Sequence, residues 1–281
     1  MNYRHAFHAG NFADVVKHTI LTRILVYLMR KDASFRVIDT HAGVGLYDLF
    51  GGEAERTGEW QEGIALLVEG GLPAPAADLV APYLAAVRAQ NPDGLLRYYP
   101  GSPFIARHML RSQDRLMALE LHPADAEALK ENFAGDIQTR VTHLDGWAAL
   151  GTHLPPKEKR GLVLVDPPFE QKGEFARMAQ SLEKAHRRWP GGTYAYWYPL
   201  KEPEAVSAYV KALKATGIPK ILRLELTISP PATPPRLFGT GMVVVNPPFV
   251  LEAEMGVLLP ALAELLGEGR GSWTIEWVAG E

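Results

Sequence analysis

From residue 12 to residue 30 the apolar positions Val15, Val16, Ile20, Ile24, Leu25 and Leu28 recur at helical spacing, with Asn11 placed to cap the start and Asp14 three residues on. Beyond it the period changes. The run of four branched apolar residues at 162–165 reads as a strand buried on both faces, and 35–39, 114–121, 140–144 and 193–199 read as further strands. Helical patterns at 123–133, 174–188 and 202–216 separate the later ones, and this alternation predicts an α/β fold with a largely parallel sheet. A sixth strand at 220–228 and a seventh at 241–245 are joined by a loop with four prolines, too short for a parallel crossover. The last strand pair is therefore expected as an antiparallel hairpin, with the seventh strand reversed and followed by a helix at 251–266. Residues 46–100 carry helical pattern at 53–69 and 76–90 without a clear strand, and are expected as a small helical insertion within one domain spanning 1–281.

The strand ends carry the chemistry. The first strand closes on Asp39-Thr40-His41-Ala42-Gly43-Val44-Gly45, an acid running into a glycine loop that lets backbone approach a ligand closely. The third glycine of the dinucleotide fingerprint is missing, which disfavours NAD. The second strand ends near Glu120, placed to accept the hydroxyls of a ribose. The third ends in Asp145-Gly146, where a carboxylate and bare backbone can meet an adenine ring. The fourth ends in Asp166-Pro167-Pro168-Phe169. Four successive acids at strand ends describe a pocket for a ribose-bearing cofactor beside a pocket for a base.

At the Asp166 corner the prolines cannot donate to a ladder, so the chain leaves the sheet there. The Asp166 carboxylate and the Pro167 carbonyl are two acceptors for an exocyclic amine, and Phe169 supplies a ring on which a purine lifted from its stack can lie. A second corner, Asn246-Pro247-Pro248-Phe249, closes the seventh strand. Because that strand is expected to run backwards, this corner should sit at the opposite edge of the sheet as a structural exit.

Composition narrows the picture. Of 281 residues 47% are hydrophobic, ample for a large core, and there is no cysteine, which excludes disulfides, thiolate zinc sites and thiol nucleophiles. The start Met-Asn-Tyr-Arg-His lacks the apolar core of a signal peptide and no apolar run reaches membrane-spanning length, so a cytoplasmic protein is expected. A net charge of −3 argues against a nucleic-acid binder coated with positive charge, leaving local patches such as Arg107, His108, Arg111 and Arg115 or Lys184, His186, Arg187 and Arg188. His5, His8, Asp14 and His18 match no metal-ligand spacing, and no metal is expected. No heptad seam calls for a dimer, so a monomer is expected.

Seven strands with a reversed seventh, the glycine loop and Asp-Pro-Pro-Phe resemble the class I, Rossmann-like methyltransferase fold, and [Asp/Asn]-Pro-Pro-aromatic marks amino methyltransferases. More closely, Tyr3-Arg4-His5 with Phe7-His8-Ala9-Gly10-Asn11, Asp39-Thr40-His41-Ala42-Gly43, Tyr98-Tyr99-Pro100-Gly101-Ser102 and Glu120-Leu121-His122-Pro123 resemble the ribosomal large-subunit RNA adenine-N6 methyltransferase J family over essentially the full chain. The resemblance implies S-adenosylmethionine as methyl donor, 23S ribosomal RNA as partner, and N6 of an adenine as target. It implies His18, His41, Ser102, Glu120, Asp145 and Gly146 as cofactor contacts, beside Asp39 and Gly43 of the loop. It further implies Asp166 as the catalytic residue and Tyr3 as an RNA contact. His5 and Lys17, on the tail and first helix, are expected on the substrate side with Pro167 and Phe169. Relatives often carry tyrosine where Phe169 stands. A DNA adenine-N6 or cytosine-N4 methyltransferase would share the same turn, but no separate basic target-recognition region is visible.

Overall fold

A computed structural model describes residues 5–280. The chain opens with a 3-10 turn, His5–Phe7, and helix α1, Phe12–Met29. Strand β1, Arg36–Asp39, leads into the segment of β2 (Leu46–Asp48), α2 (Gly52–Thr57), a π-helical turn (Gln61–Ala65), α3 (Leu66–Glu69), α4 (Ala74–Ala89) and β3 (Tyr98–Pro100). Then follow α5 (Ser102–Met109), β4 (Arg115–Glu120), α6 (Pro123–Asn132), β5 (Thr139–His143), α7 (Gly146–Thr152), β6 (Gly161–Val165) and α8 (Glu174–Arg188). The last third holds β7 (Thr193–Leu200), α9 (Pro203–Ala215), β8 (Ile221–Thr227), β9 (Gly239–Val245), α10 (Leu251–Leu266) and β10 (Ser272–Ala279).

The main sheet runs in the order β10-β8-β9-β7-β6-β1-β4-β5. Strands β5, β4, β1, β6 and β7 pair in parallel, and β9 is antiparallel to both its neighbours. The apolar run of β6 is continuous because both faces of the sheet are covered there, whereas β5 at the edge is polar and half exposed. Val37, Leu116, Leu162 and Leu164 face a core shared with α1, α4, α5 and α10, while Ile38, Met117, Val163 and Val165 face one shared with α8 and α9. Strand order reverses between β1 and β6, so Asp39 and Asp166 close neighbouring strands at the switch point where an open α/β sheet leaves a crevice.

Helix α1 starts as its sequence predicts, the Asn11 side chain accepting from the Asp14 backbone N–H at 3.0 Å. It is buried nearly all round, because α4, α5 and α10 close over the side turned from the sheet. Among the described residues no single helix is long and apolar enough to cross a membrane.

Two expectations change. The main sheet has eight strands, since Ser272–Ala279 adds antiparallel to β8 and gives it the outer neighbour it would otherwise lack. The segment 46–100 is not purely helical: its two ends pair as a small antiparallel ladder, Leu46 to Pro100 and Asp48 to Tyr98, which brings the chain back to where it left. Helix α5 begins after Gly101, which holds the N-cap place without a side-chain bond, so the Ser102 hydroxyl at its first position is turned elsewhere.

Candidate active site

A cleft lies above the carboxyl ends of β1, β4, β5 and β6, the edge of an open α/β sheet where small-molecule sites form. Of the residues expected in a site, His5, Lys17, His18, His41, Gly43, Ser102, Glu120, Asp145, Gly146, Asp166 and Pro167 all line it.

The glycine loop is shaped by its neighbours. Gly43 has φ +60°, and a Cβ there would lie 2.3 Å from the Tyr47 hydroxyl. Its N–H donates to Glu120 Oε2 at 2.9 Å, and the His122 N–H donates to Oε1 at 2.7 Å, so Glu120 is pinned with lone pairs left on both oxygens. At the next strand Asp145 Oδ1 caps α7 through the Trp147 N–H at 2.9 Å, while Oδ2 takes Arg177 Nη2 at 3.3 Å. Gly146 is required because a Cβ would stand 2.3 Å from the Thr40 carbonyl, where α7 begins tight against the glycine loop. His41 stacks edge-on against Trp147 at 5.4 Å. The Thr40 hydroxyl donates to the Leu164 carbonyl at 2.9 Å, so His41 Nδ1, 2.8 Å away, carries the proton and donates to that oxygen. Burial lowers the His41 pKa to about 4, keeping the ring neutral.

Asp39 lies beneath the cleft, 1% exposed, and does not line it. It accepts from Ser102 Oγ at 2.6 Å and from the His41 N–H at 3.3 Å. Burial raises its carboxyl to about 6 against the lowering effect of the Ser102 bond. The Ser102 hydroxyl thus joins the segment after β3 to the end of β1.

At the Asp-Pro-Pro corner Lys17 reaches from α1 to hydrogen-bond Asp166 Oδ2, and also pairs with Asp14 Oδ1 at 2.7 Å. Burial works against the Lys17 ammonium, but Asp14 and Asp166 together hold its pKa well above the usual lysine range. Asp14, despite its own burial, is held well below the carboxylate range by Lys17 and His5. Lys17 therefore sits on the expected catalytic carboxylate, 4% exposed, rather than on a surface open to RNA. His5 Nε2 bonds Asp14 Oδ2 at 3.0 Å at the cleft mouth, and its ring meets Tyr47 edge-on at 5.3 Å. His18, one residue along α1, is fully buried, with Nδ1 2.6 Å from the Tyr99 hydroxyl and Nε2 without a partner among the described residues.

Phe169 is not brought into the cleft. Its backbone is left-handed at φ 53°, which turns the ring against Phe175 at 4.9 Å and Trp197 at 5.9 Å, lining a separate groove between α8 and α9. An apolar ring gains more from that aromatic cluster than from a polar pocket. Tyr3 lies outside the described residues. The sequence reading missed Trp147, Glu174 and Arg177 as lining residues. Trp147 directly follows Asp145-Gly146 and was findable, whereas Glu174 and Arg177 look like ordinary solvated positions in the first turn of α8.

Parallel β1 and β6 at a switch point, flanking strands ending in acids, and a reversed β9 define the class I methyltransferase fold. Within it the chain belongs to the family described as Ribosomal RNA large subunit methyltransferase D, RlmJ, whose model matches residues 32–279. It is 44% identical to "Ribosomal RNA large subunit methyltransferase J" of Haemophilus influenzae over 286 aligned residues and to the protein of that name from Escherichia coli over 283, covering 100% of each chain in both cases. A crystal structure of a Legionella pneumophila protein superposes with a TM-score of 0.87 at 36% identity, over 96% of this chain and 98% of that one.

Proposed function

We propose that this protein transfers a methyl group from S-adenosylmethionine to the exocyclic N6 amine of an adenine in large-subunit ribosomal RNA. The observation that carries the reading is one cleft holding both halves of the task. Asp166 and Pro167 line it together with Gly43, Glu120, Asp145 and Gly146. Family membership supports the RNA substrate, as the relatives are named for large-subunit ribosomal RNA.

The chain's own groups fit the cofactor. Glu120 retains acceptor capacity for ribose hydroxyls, the Asp145-Gly146 turn lines the cleft where a flat base can lie, and the unpartnered His18 Nε2 offers one further polar contact. When bound, S-adenosylmethionine supplies an electrophilic methyl group. The adenine amine is a weak nucleophile because its lone pair is shared with the ring. Asp166 and the Pro167 carbonyl accept its two N–H bonds, which favours a pyramidal nitrogen with its lone pair free, and the carboxylate stabilises the positive charge that develops there. Lys17 fixes the carboxylate's orientation before the amine arrives, and the incoming N–H groups take over part of its hydrogen bonding. Phe169 has no stacking role in this arrangement of the corner.

The test is incubation of the purified protein with labelled S-adenosylmethionine and, in separate reactions, unmodified large-subunit RNA and duplex DNA, followed by nucleoside analysis. N6-methyladenosine from the RNA alone is expected. N4-methylcytosine, or label in DNA but not RNA, contradicts the reading.

A further inference from the structure

The segment 46–100 reaches beneath the cleft with two tyrosines to which the sequence assigned no role, Tyr83 and the Tyr99 of the Tyr98-Tyr99-Pro100-Gly101-Ser102 motif. Tyr83 on α4 and Tyr99 on β3 are each 0% exposed, and their hydroxyls lie 2.8 Å apart. Tyr99 is in turn 2.6 Å from His18 Nδ1. The three groups form a line from the core to the cleft wall. Tyr99 is the partner recorded for the Tyr83 hydroxyl, and Nε2 at the other end of the line has none among the described residues.

Proton counting gives this line a direction. A neutral imidazole carries one N–H, and each hydroxyl has one proton to donate. If His18 Nδ1 donated to Tyr99, one hydroxyl proton, that of Tyr83 or that of Tyr99 itself, would be left with no acceptor among the described residues, a cost of about 1–3 kcal/mol. If Tyr83 donates to Tyr99 and Tyr99 to Nδ1, both hydroxyl protons are used and the ring's own proton must sit on Nε2. Burial keeps His18 far below its usual pKa, so there is no second ring proton to blur the choice.

We infer that Tyr83 and Tyr99 are positioning residues that fix His18 as a donor into the cleft, where Nε2–H takes the carboxylate at the amino-acid end of the cofactor. The inference rests on the S-adenosylmethionine reading above. The sheet order places Glu120 and the Asp145-Gly146 turn on β4 and β5, to one side of β1. These suit the ribose and the base. His18 on α1 borders the remaining part of the cleft beside Lys17 and Ser102, and the strong hydrogen-bond acceptor left on the cofactor for that part is its carboxylate. The segment 46–100 thus sets a proton on a residue of another element, a role its helical pattern alone does not announce.

The experiment has two readouts. Nitrogen-15 spectra of the histidine-labelled free protein should show His18 protonated at Nε2 and unprotonated at Nδ1, a result independent of any ligand. Calorimetry should then show Tyr99→Phe weakening S-adenosylhomocysteine about tenfold, the worth of one net hydrogen bond, while 5′-methylthioadenosine, which lacks the amino-acid end, binds within about twofold of wild type. The double variant Tyr83→Phe/Tyr99→Phe, which leaves no stranded hydroxyl, should repeat the selective loss and guards against a folding defect in the single one. A proton on Nδ1 in the free protein, or equal loss of both ligands in the double variant, overturns the inference. Wild-type protein that binds neither ligand overturns the cofactor reading instead, with the spectrum still deciding the tautomer.

Discussion

Two corners of this molecule share a sequence and not a role. Asp166-Pro-Pro-Phe and Asn246-Pro-Pro-Phe each follow a buried apolar strand, β6 and β9, whose every residue is covered. The difference is direction. β6 runs parallel with its neighbours and delivers Asp166 to the cleft; β9 runs against its neighbours and delivers Asn246 to the opposite edge. There Asn246 takes a left-handed backbone, φ 50°, which asparagine tolerates better than most residues. Its side-chain amide donates to the carbonyls of Pro190 at 2.8 Å and Gly192 at 2.7 Å, and Thr193 Oγ1 donates back to its own carbonyl at 3.1 Å. Amide donors suit a corner that must tie down backbone carbonyls. A carboxylate facing a lysine suits one that must accept an amine. Topology decides which of two similar motifs reaches the cleft.

The comparison is broken most severely by Asp166→Ala, expected to lower kcat by about a thousandfold or more while S-adenosylhomocysteine affinity stays near wild type. Calorimetry alongside a methyl-transfer assay checks both halves. Next is Lys17→Met, which strands Asp14 and Asp166 without their shared cation. Breaking a buried pair this way costs about 3–5 kcal/mol of stability, measured by denaturant unfolding, and turnover should fall with it. Asn246→Ala should lose about 1–3 kcal/mol through the stranded Pro190 and Gly192 carbonyls, yet leave kcat of the folded enzyme within about twofold. A large loss of kcat there would return the second corner to consideration.

The smallest effect is a pH dependence. Asp39, raised to about 6 by burial, has a folded pKa above its unfolded value. Its contribution to stability is therefore fully present below about 3.9 and is lost as pH rises through about 6. Unfolding free energies of Asp39→Asn should change less than those of wild type between pH 4 and pH 7.

What the sequence made legible follows from local rules. Helices α1, α8 and α10 carry their own periodicity and α1 its own cap, the four strand-end acids stand where strands stop, and a short proline-rich connection forces β9 to reverse. The expectations that failed depend on distant partners. Three-residue strands such as Leu46–Asp48 and Tyr98–Pro100 are too short to show a period, and β10 exposes Trp273 and Trp277 at 46% and 41%, so it lacks the apolar run that marked the inner strands. Lys17 finds Asp166 across 149 positions of sequence, and Phe169 follows a backbone turn that no neighbouring residue announces. That Glu120, Asp145 and Asp166 share a pocket was readable from their order along the chain. That Asp39 lies beneath it on Ser102, and that Lys17 sits on Asp166, was not.

The central claim is that Asp166 and the Pro167 carbonyl grip the amine that receives the methyl group. A crystal structure with S-adenosylhomocysteine and adenosine tests it most directly. The account predicts the adenosine N6 within hydrogen-bond distance of both acceptors. An N6 bound away from Asp166, or an adenosine seated at the Asn246 corner, contradicts it.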